Sequence, residues 1–544
     1  MTLKNVVVDG RHLSIKDVIA VARGIDGEYA KVEILPATRK MIKKMRDGIE
    51  ALLDSKVIYG VNTGCGARKQ EILKTEEIEA YNEKYVKAHA CGYGDTMDTE
   101  LVRAMMLIRL NSFAVGNSGI RLELCDQILA LLNHEITPVI PLHGSVGASG
   151  DLIPLAYLGN VLRATRGAMV LYQGEIVDAY SLFVKLGLKP LVLQAKEAMG
   201  LTNGANLVLA YGVFAVYDSE NLLTVANAAA ALGLEAIRGE TDAFNNRIHQ
   251  ARGLNGHPGQ ISVAEQIMNM LRGSKRCQHA AQEFKMHRQY EYGDEKGKKN
   301  GPRVQDAYSY RCVPQVHGSV DIVLGRVRET IERELNAATD NPLIFETRDG
   351  DFDVLSGGNF HGEPLAYDLD YLAIAMCGLA NMSDRRFYQL LDSHSSYGLP
   401  NDLCGNADHG NTGFMILQYM VASAVNRCKI LANPASTDSI PTSRGQEDYV
   451  SMGTNAGWKL REQLSHVQAV LAAEVIASCQ AIDLGNDELP EQFQELGAGT
   501  QVVYDLVRKK IDRMKGDRWL HPDLAEIIEL VAGRDIRHEL KRVV

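Results

Sequence analysis

The sequence predicts a mainly helical protein that contains a bundle of long helices. An Ala-rich stretch at 205–240 has helical composition. Three further stretches, about 365–391, 411–432 and 455–484, carry small and apolar residues around much of the helix surface, as helices buried in a bundle do. Another helix follows from an apolar stripe with i, i+3, i+4, i+7 spacing, formed by Val320, Val323, Leu324, Val327, Ile331 and Leu335.

The composition is that of a globular protein and argues against nucleic-acid and membrane partners. The 544 residues include 68 acidic and 58 basic ones, a formal charge of -10, whereas both kinds of partner usually require a basic face. No apolar run reaches the roughly 20 residues that span a bilayer, and the N-terminus lacks the pattern of a signal peptide. Nine cysteines without a C-x-x-C pair, and no zinc-type spacing, predict reduced thiols, a cytoplasmic location and no metal.

Between residues 56 and 135 the chain is predicted to be a strand, a loop and three helices. Residues 56–70, KVIYGVNTGCGARKQ, suggest a strand that runs into a Gly-rich loop beginning at Tyr59. This loop has neither of the phosphate-binding patterns G-x-x-x-x-G-K-[ST] and G-x-G-x-x-G. Residues 78–92 form a helix with His89 near its end, where a surface or capping histidine is the ordinary interpretation. Two more helices are predicted at 100–116 and 119–134.

The most unusual stretch is GSVGASGDLIPLAY at 144–157. Its small residues let the backbone fold back sharply, which could bring the Gly150 nitrogen onto the Ala148 carbonyl carbon. Loss of two waters would then close a five-membered ring and turn Ser149 into an exocyclic methylidene, an electrophile that no encoded side chain supplies. The alternative is an ordinary Gly-rich turn into a helix, with Asp151 favouring the helix dipole.

Residues 304–318, VQDAYSYRCVPQVHG, carry Gln305, Tyr308 and Arg311. A lone arginine near a tyrosine is ordinarily a surface residue, but a planar guanidinium can also hold a carboxylate bidentately. The Tyr308 hydroxyl could assist a proton transfer. Residues 285–303, which precede this segment, are charged and contain glycine, so a solvated loop is predicted there.

Three other segments contain polar or aromatic side chains that could have either a purely structural role or a role in an active site. Asn203, within 193–211, precedes a glycine and could be a simple turn signal. Phe360 lies in SGGNFHGEPLA at 356–366. Glu447 lies in a loop at 436–453 and would ordinarily be a solvated acid.

Five separated segments together resemble the aromatic amino acid ammonia-lyases and 2,3-aminomutases. They occur in order across roughly residues 50–485, and by their joint presence the chain is identified as a member of that family. The segments are YGVNTGCG, GSVGASGDLIPLAY, KEAMGLTNGANL, QDAYSYRCVPQV and SGGNFHGEPLA.

The resemblance implies a cofactor and a set of residue roles. Ala148, Ser149 and Gly150 would cyclise to 4-methylidene-imidazol-5-one (MIO), with no metal or nucleotide. Tyr59 would remove the β-proton with help from Tyr308. Because a phenol titrates near pH ~10, we expect a cation or loop amides to lower the pKa of Tyr59. The implied substrate-binding positions are His89, Asn203 (which would also bind the MIO oxygen), Gln305, Arg311 (on the carboxylate), Phe360 and Glu447.

The substrate favoured by the implied pocket is L-histidine, giving trans-urocanate and ammonia. His89 and Glu447 can satisfy both nitrogens of an imidazole, whereas a phenyl ring would leave the carboxylate unpaired. A phenol could bond to His89 alone, and SSYGLPNDL at 395–403 resembles tyrosine 2,3-aminomutases. A tyrosine or related aryl lyase or aminomutase is therefore the alternative. A non-catalytic helical scaffold is a third hypothesis, which the retention of Ser149 and Arg311 disfavours.

The resemblance also implies an architecture and an assembly. The fold would have a smaller N-terminal region with the base and MIO loops at 1–200, a central helical bundle at 201–484 and a C-terminal helical segment at 485–544. The family assembles as homotetramers whose active sites draw on three chains. Tyr308 and Arg311 would then come from a different subunit than Ser149.

Overall fold

The computed structural model describes residues 5–25, 27–53, 55–286, 304–405 and 410–544, and helices dominate them. The predicted mainly helical class is confirmed. Before residue 304 the helices are α1 (Ile15–Ala22), α2 (Pro36–Glu50), α3 (Thr75–His89), α4 (Thr99–Ala114), α5 (Leu122–Asn133), α6 (Leu152–Leu162), α7 (Ala179–Leu186), α8 (Glu197–Thr202), α9 (Asn206–Ile237), α10 (Asn246–Gln250), α11 (Pro258–Met270) and α12 (His279–Glu283). After it they are α13 (Tyr308–Arg311), α14 (Val313–Glu334), α15 (Glu363–Leu390), α16 (Met415–Leu431), α17 (Gly453–Asn486), α18 (Ala498–Lys510), α19 (His521–Ala532) and α20 (Asp535–Val543).

The strands are short and pair locally. β1 pairs in parallel with β2, while β3–β5, β4–β6–β7 and β8–β9 are antiparallel. Their bounds are β1 (Val6–Val8), β2 (Val32–Ile34), β3 (Tyr93–Thr96), β4 (Thr137–Pro138), β5 (Pro141–His143), β6 (Met169–Tyr172), β7 (Glu175–Asp178), β8 (Leu343–Glu346) and β9 (Phe352–Leu355).

The chain divides into two compact units. The first comprises the described part of Met1–Ala215, with Val327–Asp370 and Pro434–Trp458. Helix α4 forms the centre of its core, because every residue from 101 to 114 is buried. This burial includes the side chains of Arg103 and Arg109.

The second unit comprises the described parts of Val216–Arg326, Tyr371–Asn433 and Lys459–Val544. Its core is rich in small side chains, and Ala228, Ala229, Ala230 and Ala231 on α9 have no exposed surface. A buried ion pair joins Arg386 to Glu474, with Nε donating to Oε1 at 2.5 Å. Arg386 also donates from Nη1 to the carbonyl oxygen of Ser309 at 3.2 Å, which fixes helix α13.

Long periodic segments form helices within a few residues of their predicted bounds, whereas the strand predicted from residue 56 is wrong. Residues 56–58 have no regular secondary structure and residues 59–60 form a turn, because the Asn62 side chain replaces a strand ladder as the hydrogen-bond partner of this segment. Asn62 accepts from the Ile58 nitrogen at 2.7 Å and donates to the Lys56 oxygen at 2.8 Å. Of the solvated loop predicted at 285–303, residues 287–303 lie outside the described residues.

Helix α17 is long and apolar enough to cross a membrane by length and composition alone. Of its most apolar window, however, 83% is buried within the protein. Such burial is the property of a core helix in a folded protein.

Candidate active site

The turn at 144–150 connects β5 to α6 and folds back against a neighbouring loop. Gly147 and Gly150 have φ angles of +66° and +73°, a region that favours glycine. A Cβ atom at Gly150 would lie 2.2 Å from the carbonyl carbon of Gly204, so a side chain has no room there. The Asp151 nitrogen closes the contact by donating to the Gly204 oxygen at 2.9 Å. The glycines therefore permit the sharp reversal that their spacing predicts.

Asp151 fixes this turn to two helices that are distant in sequence. It stands at the N-cap of α6, but its carboxylate makes no capping hydrogen bond there. Instead Oδ2 accepts from the nitrogens of Leu207 and Val208, at 2.7 and 3.1 Å, at the start of α9. Oδ1 accepts from the hydroxyls of Ser145 and Thr454, at 2.8 and 2.9 Å. Burial raises the pKa of this carboxyl, and the four hydrogen bonds oppose that rise.

Ser149 is contacted by two other segments. Its hydroxyl donates to Oε1 of Glu447 at 2.7 Å. Its carbonyl oxygen accepts from Nδ2 of Asn203 at 2.7 Å and from the Gly204 nitrogen at 3.3 Å. The second carboxylate oxygen of Glu447 accepts from the Thr442 hydroxyl at 2.9 Å. Ser149, Asn203 and Glu447, predicted from separate segments, thus meet at one point.

The loop that carries Glu447 is anchored to the turn by a small apolar cluster. Ala148 packs with Val450 and Met452, and all three are buried. The Met452 nitrogen also donates to the carbonyl oxygen of Val146 at 2.9 Å. This packing holds the Glu447 carboxylate beside the Ser149 hydroxyl.

Tyr59 lies in the loop that follows α2, supported by core contacts of its neighbours Ile58 and Val61. Its hydroxyl oxygen accepts a hydrogen bond from the Gly66 nitrogen at 2.9 Å. Burial raises the pKa of Tyr59 above the ordinary phenol value, and the nearby Glu447 adds to the rise. The Gly66 N–H opposes it, as expected of a loop amide. The expected net lowering of this pKa is therefore wrong for the single chain, because desolvation outweighs the amide.

His89 is the last residue of α3 and has a defined tautomer. Its Nδ1 lies 2.7 Å from the carbonyl oxygen of Tyr85, which can only accept, so Nδ1 carries the hydrogen. The imidazole stacks on the Tyr85 ring with centroids 3.8 Å apart. Burial lowers the pKa of His89, although Glu447 opposes this. The ring is thus neutral at neutral pH, with Nε2 as a hydrogen-bond acceptor.

These side chains line one cavity of about 1110 Å3 within the first unit. Its volume slightly exceeds the roughly 300–1,000 Å3 typical of small-molecule sites. The predicted site residues on its wall are Tyr59, His89, Ala148, Ser149, Asn203, Phe360 and Glu447.

Sequence reasoning missed several other residues of the cavity wall. His361 directly follows Phe360 in a segment that was singled out, and its Nε2 donates to the Tyr449 oxygen at 3.2 Å. Its Nδ1 accepts from the Glu363 nitrogen at 3.3 Å. Tyr81 lies on α3 and Met199 lies in the segment KEAMGLTNGANL, and only the fold brings both side chains to the wall.

Gln305, Tyr308 and Arg311 belong to the second unit and do not line this cavity. Tyr308 is 71% exposed, and the Arg311 guanidinium lies over its ring at 4.7 Å from the centroid. Arg311 also donates from Nε to the carbonyl oxygen of Asp306 at 3.3 Å.

The cavity offers groups for acid–base chemistry and for stabilising negative charge. A phenol, a neutral imidazole and a carboxylate face it, and two N–H donors converge on the Ser149 carbonyl oxygen. Throughout the part of the chain that the structure describes, no group of three His, Cys, Asp or Glu residues could hold a metal ion.

Comparisons with known proteins agree on one family. A model of the aromatic amino acid lyases matches residues 13–509. The chain is 41% identical to the histidine ammonia-lyase of Chloroflexus aurantiacus over 534 residues, covering 98% of this chain and 97% of that protein. Its structure is similar to the tyrosine aminomutase of Streptomyces globisporus, with a TM-score of 0.89, 30% identity and 99% coverage of both chains. It is also similar to the histidine ammonia-lyase of Trypanosoma cruzi, with a TM-score of 0.86, 32% identity and coverage of 99% and 96%.

Proposed function

We propose the reaction of this chain on the basis of its family. The chain belongs to the aromatic amino acid lyase family, as its motifs predict. It is a carbon–nitrogen lyase, and we propose that it converts L-histidine to trans-urocanate and ammonia. The observation that carries this proposal is the presence of two ring acceptors, His89 and Glu447, in the cavity that contains Ser149.

The two acceptors match a protonated imidazole ring. Nε2 of neutral His89 can accept one N–H, since Nδ1 is already committed to Tyr85. The Glu447 carboxylate can accept the other N–H. A phenol that bonds to His89 has no second donor and a phenyl ring has none, so either would leave Oε1 of the desolvated Glu447 carboxylate without a donor from the substrate ring.

The Ala148–Gly150 turn fits the MIO group that the family implies. Gly150 lacks the side chain that would clash with Gly204, and Asn203 aims a donor at the Ser149 carbonyl oxygen. Once formed, MIO supplies an electrophile that makes ammonia a better leaving group. Asn203 and Gly204 would stabilise negative charge on the Ser149 oxygen.

Tyr59 would remove the β-proton of the substrate as a phenolate. The Gly66 N–H points at its oxygen and stabilises the charged form. Phe360 would pack against the substrate from the cavity wall. Arg311 would hold the substrate carboxylate bidentately, with Gln305 and Tyr308 beside it.

Because Arg311 is not among the residues that line the cavity, we propose a homotetramer in which another subunit supplies Gln305, Tyr308 and Arg311. Exposed apolar side chains of the second unit support such association. On α15 and α16 these are Tyr371, Ile374, Tyr388, Ile416, Tyr419 and Ile430. The nine free cysteines are consistent with a cytoplasmic enzyme.

A tyrosine 2,3-aminomutase is the second candidate. The unpaired Nε2 of His89 can accept a phenol O–H as readily as an imidazole N–H. The structural similarity to a tyrosine aminomutase favours the same alternative.

Parallel incubation of the purified protein with L-histidine, L-tyrosine and L-phenylalanine separates the candidates. Released ammonia and near-ultraviolet absorbance would be followed together, and β-amino acids would be sought by chromatography. Urocanate and ammonia from histidine alone are expected. A β-amino acid from tyrosine with little free ammonia would contradict the histidine proposal and support the aminomutase. The variant Ser149→Ala, which cannot form MIO, is the matched negative control.

A further inference from the structure

Arg109, on helix α4, is a fully buried cation beside the loop that contacts Ser149. Its Nη1 donates to the carbonyl oxygen of Asn203 and to Oδ1 of Asn206, both at 2.8 Å. Within the described residues, Nε and Nη2 have no hydrogen-bond partner. Burial lowers the pKa of Arg109 to about 10, so the group remains charged at neutral pH. Burying an incompletely paired charge lowers the stability of the folded chain, so its presence at this position indicates a functional role.

The peptide group between Asn203 and Gly204 connects this cation to Ser149. Its carbonyl oxygen accepts from Arg109, and its nitrogen donates to the Ser149 oxygen at 3.3 Å. A peptide whose carbonyl is hydrogen-bonded to a cation becomes a stronger N–H donor, because hydrogen bonds in a chain polarise one another. The charge thereby acts on the Ser149 carbonyl through one peptide unit.

The contact is close enough for this effect to operate. Gly204 has φ of +147°, and a Cβ atom there would lie 2.3 Å from Nη1 of Arg109. The guanidinium therefore packs directly on the backbone of the peptide that it polarises. All of these residues belong to the first unit.

We propose that Arg109 is a positioning residue that polarises the Asn203–Gly204 peptide and so promotes cyclisation of the Ala148–Gly150 turn. The inference rests on the proposed function, since it concerns formation of the implied MIO. It adds a residue that contacts neither the ring nor the substrate.

The Ser149 carbonyl, which accepts from the polarised Gly204 N–H, lies next to the bonds that form and break during cyclisation. The Gly150 nitrogen bonds to the Ala148 carbonyl carbon, and the Ala148 oxygen leaves as water with the amide hydrogens of Gly150 and Ser149. A second water forms from the Ser149 hydroxyl and its α-hydrogen. Loss of that α-hydrogen places electron density on the adjacent Ser149 oxygen, where the Gly204 N–H stabilises it.

The variant Arg109→Gln tests the charge separately from the hydrogen bond, because glutamine can still donate to the Asn203 oxygen. Arg109→Lys retains the charge without the planar fork. The control is Arg103→Gln, which removes a guanidinium that is 1% exposed on the same helix and donates to the Val21 oxygen at 3.0 Å. Intact mass over time after synthesis gives the rate at which each chain becomes two waters lighter, and thermal unfolding reports folding.

We expect the wild type and Arg103→Gln to cyclise fully, Arg109→Gln to cyclise about tenfold or more slowly, and Arg109→Lys to lie between them. A purely structural role would lower the unfolding temperatures of Arg103→Gln and Arg109→Gln alike without slowing cyclisation in the folded chain. Cyclisation of Arg109→Gln at the wild-type rate would overturn the inference. If Arg109→Gln does not fold, the neutral variant Arg109→Met decides: slowed cyclisation of its folded chain supports the inference and a wild-type rate overturns it.

The same masses separate this inference from the proposed function. A wild-type chain of full mass would overturn both. A wild-type chain two waters lighter that releases no ammonia from L-histidine would overturn only the substrate assignment, and the Arg109 comparison would still be decided by the rates of mass loss.

Discussion

At the scale of single residues, the site depends on contacts between positions far apart in the chain. Ser149 meets Asn203, 54 residues away, and Glu447, 298 residues away. Motif resemblance predicts these three residues together, although no local pattern could. The four hydrogen bonds to the Asp151 carboxylate were not predicted, because local propensity suggests only a cap for the helix that follows it.

The pH dependence of the reaction follows from Tyr59 and His89. Burial raises the pKa of Tyr59, so the fraction of active phenolate in the enzyme–substrate complex, and with it kcat, should increase with pH above neutrality. Burial lowers the pKa of His89, so protonation removes the Nε2 acceptor only at acidic pH, and activity falls there. The measurement is kcat at saturating L-histidine across pH.

The variant Tyr59→Phe removes the base and keeps the ring. We expect kcat/KM to fall by about 10²–10⁴-fold and the alkaline increase to disappear. Tyr81→Phe, which changes another tyrosine of the cavity wall, is the control and should retain the increase. A flat wild-type profile above neutrality would contradict the role of Tyr59.

At the scale of secondary structure, long stretches of apolar periodicity predict helix bounds most reliably. Helices α9, α15 and α17 have 32, 28 and 34 residues, and each begins and ends within three residues of its predicted bounds. The strand predicted from residue 56 failed because one side chain, Asn62, provides the hydrogen bonds that a neighbouring strand would have supplied. Side-chain competition of this kind has no periodic signature.

The start of α9 gives a prediction at this scale. Asp151→Ala would leave the N–H groups of Leu207 and Val208 without their acceptor, together with two buried hydroxyls. We expect the free energy of unfolding to fall by about 2 kcal/mol or more. Asp178→Ala removes an exposed cap from α7 and should cost only about 1 kcal/mol.

Thermal and denaturant unfolding of both variants, followed by circular dichroism, measures the difference. Equal destabilisation would show that the buried carboxylate contributes no more than an ordinary surface cap.

At the scale of the whole molecule, the site predicted from sequence is incomplete in one chain. Seven predicted residues line one cavity, whereas Gln305, Tyr308 and Arg311 do not. A sequence pattern identifies such residues without stating which copy of the chain supplies them. That different subunits supply the residues of one active site is therefore a prediction, which experiments in solution can test.

Mixing two inactive variants tests this sharing. Ser149→Ala lacks the cyclising residue, and Arg311→Gln lacks the carboxylate ligand. If the two residues of one site come from different subunits, co-expression should restore about a quarter of wild-type activity, since each site draws its two residues independently. Each variant expressed alone is the control. A mixed protein that forms tetramers by light scattering yet has no activity would contradict shared sites.

The central claim, that Glu447 and His89 select an imidazole ring, is tested most directly by the ratio of kcat/KM for L-histidine to that for L-tyrosine. The ratio would be measured in the wild type, Glu447→Gln and the neighbouring Asp448→Asn, each normalised to chains two waters lighter. We predict that the wild type and Asp448→Asn favour histidine by about 10²-fold or more, and that Glu447→Gln loses about 10- to 100-fold of this preference. A wild-type preference for tyrosine, or an unchanged ratio in Glu447→Gln, would contradict the claim.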